Sequence, residues 1–110
     1  MAQKFNLIID QGSTFKASIT VFDLNNTNFD ITPYSIRGQI REYYDSANSV
    51  VNFTTAKANA QLGIFTIELT ANQTSVIESG DYVYDVEIDD TVNVFRIVEG
   101  YVKVTPEVTR

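Results

Sequence analysis

Ile77-Glu78-Ser79-Gly80-Asp81-Tyr82-Val83-Tyr84-Asp85-Val86-Glu87-Ile88, followed by Phe95-Arg96-Ile97-Val98-Glu99-Gly100-Tyr101-Val102-Lys103-Val104-Thr105-Pro106-Glu107, is the stretch whose reading decides the fold. Tyr82, Tyr84, Val86 and Ile88 alternate with Val83, Asp85 and Glu87, the period-two pattern of a strand with one face inward. Asp89 to Asn93 is rich in turn formers and reads as a hairpin loop. In the second half parity breaks: Phe95 and Ile97 are odd, whereas Val98, Val102 and Val104 are even. A bulge at Gly100 would reconcile them, as would burial on both sides. These two strands therefore close an antiparallel sheet.

Outward from that hairpin, strand signals recur along the chain, separated by Asn, Asp, Gly and Ser clusters. Lys4 to Asp10 is a first strand, turned by Gln11-Gly12-Ser13. In Thr14 to Asp23, Phe15, Ala17, Ile19 and Val21 share one face. Leu24 to Thr32 reads as loop, and Pro33 bars a central strand there. Further strands are expected at Ser35 to Tyr43, Val50 to Ala58 and Leu62 to Leu69. Thr70-Ala71-Asn72-Gln73 matches a capping box and predicts one short helix near residues 71–79. Val76 and Ile77 are expected to pack inward, and Gly80 suits a left-handed C′ position. The expected architecture is one all-β domain over residues 1–110, an antiparallel immunoglobulin-like sandwich of about seven strands. A small barrel is the alternative.

Composition narrows the chemistry. The chain has 110 residues, no Cys and no His. Disulfides, thiolate metal sites and Ser–His or Cys–His nucleophiles are thus excluded. No Gly-rich phosphate loop, signal peptide or long apolar span is apparent. The net charge of −6 argues against nucleic-acid phosphates and anionic membranes as partners. No catalytic group and no cofactor is expected, although a carboxylate pair remains formally able to act as acid and base.

Asp81, Asp85, Glu87 and Asp89 share the outward face of one strand. Clustered oxygens suit calcium, but alternate strand residues stand about 6.5–7 Å apart, too far for one ion to collect. Cross-strand pairing of Asp85 and Glu87 with Arg37 and Arg41 is the simpler expectation. Tyr82 and Tyr84 read as structural, Tyr82 through a hydroxyl bonded back to upstream backbone. Tyr43 and Tyr44 are consecutive, so at least one faces solvent on a strand. With Val51 and Phe53 they form the candidate contact surface.

Phe15-Lys16-Ala17-Ser18-Ile19-Thr20-Val21-Phe22-Asp23, Ile36-Arg37-Gly38-Gln39-Ile40-Arg41, Gly63-Ile64-Phe65-Thr66-Ile67-Glu68-Leu69-Thr70, Gly80-Asp81-Tyr82-Val83-Tyr84-Asp85-Val86 and the ending Val102 to Arg110 together resemble a known family. They are similar to small immunoglobulin-like structural proteins of tailed bacteriophages, cyanophages included, and to the N-terminal domain of siphophage upper baseplate proteins. The resemblance implies a non-enzymatic virion protein of the tail, baseplate or neck, made in the host cytoplasm. It also implies docking to other virion proteins, often as a homo-oligomer. Val108-Thr109-Arg110 is an expected extension onto a neighbour. The alternative is a carbohydrate-binding or adhesion module that uses exposed aromatics.

Overall fold

The structure, a computed structural model, describes residues 3–108. It is an all-β sandwich. Among the described residues the strands are β1 (Gln3–Lys4), β2 (Leu7–Asp10), β3 (Phe15–Thr20), β4 (Ser35–Arg41), β5 (Val51–Asn52), β6 (Thr54–Asn59), β7 (Ile64–Leu69), β8 (Gly80–Asp89) and β9 (Val94–Thr105). One short helix, α1 (Ala71–Ser75), joins β7 to β8, and a 3₁₀ turn (Ala60–Leu62) precedes β7.

One sheet runs β1-β9-β8-β4-β5, with β2 also on β9; the other runs β3-β7-β6. A β9-β8-β4 sheet facing a β3-β7-β6 sheet reproduces the G-F-C and B-E-D order of immunoglobulin domains. Two expectations are corrected. The sheets are not wholly antiparallel, because β1 and β2 both run parallel to β9. The strand segments also outnumber those expected, because two of the predicted strands are broken.

The first break, at Phe5-Asn6, lets the chain lean onto β9. The Phe5 amide donates to Glu99 O at 2.9 Å, and the Tyr101 amide donates to Asn6 Oδ1 at 3.0 Å. A Cβ on Gly100 would stand 2.4 Å from Phe5 O, so glycine permits this approach. The bulge assigned to Gly100 lies instead near Ile97: Val86 pairs with Val98 and Glu87 with Arg96. Ile97 and Val98 are consequently both buried. The second break, at Phe53, separates β5 on one sheet from β6 on the other.

The core between the sheets contains Ile9, Ile40, Phe65, Ile67, Leu69, Val86, Ile88 and Val102. Phe53 bridges the layers, its ring centroid 6.1 Å from Phe15 and 6.2 Å from Tyr84. Antibody domains place an inter-sheet disulfide between the equivalent strands; here an aromatic bridge spans them.

α1 is shorter than predicted. Its capping box is intact: the Gln73 amide donates to Thr70 Oγ1 at 3.2 Å and the Thr70 amide to Gln73 Oε1 at 2.8 Å. The helix stops at Ser75, with Val76 exposed and Ile77 buried. Gly80 does not cap it; its φ of +151° opens β8. Thr74, fully buried, ties α1 to the turn after β2. Its hydroxyl accepts from the Gly12 amide at 3.0 Å and donates to Ser13 O at 2.8 Å.

Candidate functional site

The polar face of β8 carries ion pairs rather than a converging site. Arg37 Nε stands 3.0 Å from Glu87 Oε1, and its Nη1 stands 3.3 Å from Asp89 Oδ2. The expected pairing of Arg41 with a carboxylate does not form. Arg41 donates instead to Ser46 O, which the bend after β4 brings back to it, and to Gln39 Oε1 two residues earlier on the same face of β4, each at 2.8 Å. Asp85 is paired from the other side, by Arg96 Nε at 3.5 Å. Burial, then Glu87 and Glu99 nearby, push the Asp85 carboxyl above its ordinary range against the pull of Arg96 and Arg41. Among the described residues no three carboxylates converge as metal ligands would.

The two tyrosines of β8 hold the chain as the sequence suggested. Tyr82 donates its hydroxyl to Glu78 O at 2.6 Å, the tyrosine-corner bond at the start of this strand. Tyr84 is buried and donates to Phe5 O at 2.6 Å, pinning the N-terminal kink. Burial pushes its phenol up to about 12.

The candidate contact surface divides. Tyr43 and Tyr44 are exposed, 56% and 65%, in the bend after β4. Val51 is half-buried on β5 opposite Ile40. Phe53 is corrected from surface to core. Its amide donates to Gly38 O at 2.9 Å as the chain changes sheets, and the ring turns inward over Gly38. Tyr44 instead borders a shallow depression of about 90 Å³ with Gln39, Arg41 and Asp85. Val108 is exposed; Thr109 and Arg110 lie outside the described residues.

A larger feature lies along β3, and sequence reasoning missed it. Among the described residues β3 has a strand on one side only, β7. The Val21 amide donates to Gly63 O at 2.8 Å, which turns the odd-numbered residues of β3 toward β7. The backbone groups of Lys16, Ser18 and Thr20 therefore point outward from the sheet. In the four-stranded immunoglobulin sheet the first strand, A, covers this edge. Here the first strands lie on β9 in the other sheet, and no described residue occupies position A. A groove of about 280 Å³ lies between β3 and the N-terminal strands, lined by Phe5, Leu7, Ala17, Ile19, Phe22 and Ile97 among others. Phe5 and Phe22 stand on its rim, 64% and 43% exposed. The alternation of Phe15 to Val21 marked the strand, but no local signal says which sheet the first strand joins.

No protein-family model and no curated protein matches the chain. Solved structures do match. One is InlP of Listeria monocytogenes, with a TM-score of 0.52 and 20% identity over 94% of this chain and 28% of that one. A second is a family 123 glycoside hydrolase from Clostridium perfringens, with a TM-score of 0.40 and 12% identity over 96% of this chain and 23% of that one. The chain thus spans about a quarter of either protein's length. At these identities the likeness to InlP concerns the fold alone.

Proposed function

We propose that the chain is a non-enzymatic structural component of a tailed-phage particle, in the tail, baseplate or neck, and acts through protein–protein contacts. The observation that carries this reading is the open edge of β3 beside an uncharged groove. Unpaired ladder groups recruit another strand, and apolar surface beside them adds affinity. The strand patterns quoted above support the phage assignment by resemblance. Its partners are other virion proteins and further copies of itself, and its place is the virion. Mass spectrometry of purified particles tests the assignment. The chain is expected among the virion proteins, and its absence there removes the reading.

A second reading rests on Tyr44. An exposed ring beside Gln39, Arg41 and Asp85 offers a stacking face with hydrogen-bonding groups around it, the arrangement a sugar ring uses. Binding on a glycan array, lost in Tyr44→Ala, would favour an adhesion module.

A further inference from the structure

We propose that the open edge of β3 is a self-association surface, on which β3 of a second copy of this chain lies antiparallel about a two-fold axis at Ser18. This rests on the reading above and deepens it by naming the surface through which two copies meet.

Register supplies the first argument. With Ser18 facing Ser18 of the second copy, Lys16 faces its Thr20 and Ala17 faces its Ile19. The outward N–H and C=O groups of Lys16, Ser18 and Thr20 then meet complementary groups, as an antiparallel ladder requires. No like charges stand directly opposite. The interface is isologous, so the contact closes on itself as a dimer.

Charge supplies the second argument. The chain carries 14 acidic and 8 basic residues, and its net charge of −6 opposes self-association over most of the surface. Among the described residues the groove lining contains no charged side chain. From Phe15 to Phe22 the sole charged residue is Lys16. Two copies therefore meet here without bringing carboxylates together.

Packing supplies the third. The second β3 occupies the position of strand A, so the two three-stranded sheets become one continuous sheet across the axis. The two grooves become adjoining, and the rims carrying Phe5 and Phe22 lie beside the new strand.

Sedimentation velocity over a concentration series on the intact chain tests this. The wild type is expected to dimerise. Ser18→Lys places two ammonium groups on the axis and is expected to weaken the dimer several-fold. An equimolar mixture of Ser18→Lys and Ser18→Asp is expected to restore it as a heterodimer. Ser18→Pro removes a ladder donor at an edge position and is expected to be monomeric. Should that variant lose its circular-dichroism signature, the charge pair decides the matter alone. A wild type that stays monomeric throughout overturns the proposal, and so does a dimer indifferent to Ser18→Lys. Either result leaves the presence of the chain in particles untouched, and its absence from particles leaves the dimer untouched.

Discussion

Tyr84 does two jobs with one side chain. Its ring packs against Phe53 between the sheets, and its hydroxyl holds Phe5 O at 2.6 Å. Tyr84→Phe keeps the ring and orphans the carbonyl. The expected loss is about 1 kcal/mol, read from urea unfolding at neutral pH. The phenol adds a pH signature. Its folded value is raised to about 12, against about 10 in the unfolded chain. The unfolded state therefore releases the proton first, and stability is lost as pH rises from about 10 toward 12. Burial raises Tyr82 too, in the same direction, so the diagnostic quantity is the difference from Tyr84→Phe, whose decline should be shallower. Asp85 shows the same sign at the acid end. Its raised carboxyl is ionised at neutral pH at a cost to the fold. Asp85→Asn is expected to raise Tm modestly at pH 7, with the gain fading as pH falls through the raised value toward the ordinary carboxylate range and absent below it. A lower Tm at pH 7 would show that the Arg96 pairing outweighs burial.

Among the elements, α1 shows how local chemistry and tertiary contact divide the work. The Thr70–Gln73 box starts the helix where the sequence said it would. Its end is set by Ile77, which the core claims, and by Thr74, which serves the turn after β2. Thr74→Val keeps the shape and removes the hydroxyl. The Gly12 amide then loses its acceptor, and a cost of about 1–3 kcal/mol is expected in thermal or urea unfolding. A change within about 0.5 kcal/mol, the range of an ordinary surface substitution, would mean that water replaces the hydroxyl. Strands β7 and β8 were legible because an apolar residue recurs at every second position, although Val83 of β8 is buried as well. β5 and β6 were not separated in the sequence, because Val50 to Ala58 has no glycine or proline where the chain changes sheets. The break is visible only in the pairing, where Phe53 still bonds Gly38 of β4 and Thr54 already pairs with Glu68 of β7.

At the scale of the whole molecule, Phe53 is the seam between layers. Phe53→Ala is expected to cost about 3–5 kcal/mol, whereas Tyr43→Ala and Tyr44→Ala should stay within about 0.5 kcal/mol. Denaturant titrations of the three variants separate core from surface directly. A mild Phe53→Ala would return that residue to the contact surface. The sequence by itself determined the all-β class, the core faces of β3, β7 and β8, the capped helix start, and Tyr82 and Tyr84 as anchors of β8. Each of these is written in local periodicity or in one side chain's reach. Tertiary structure decided that Phe53 faces inward, that Arg96 rather than Arg41 pairs with Asp85, and that β1 and β2 lie parallel on β9. Among the described residues it thereby left the edge of β3 open. Strand partnership is a contact between residues far apart in the chain, and a period of two records which face a residue takes but not its neighbour across the sheet.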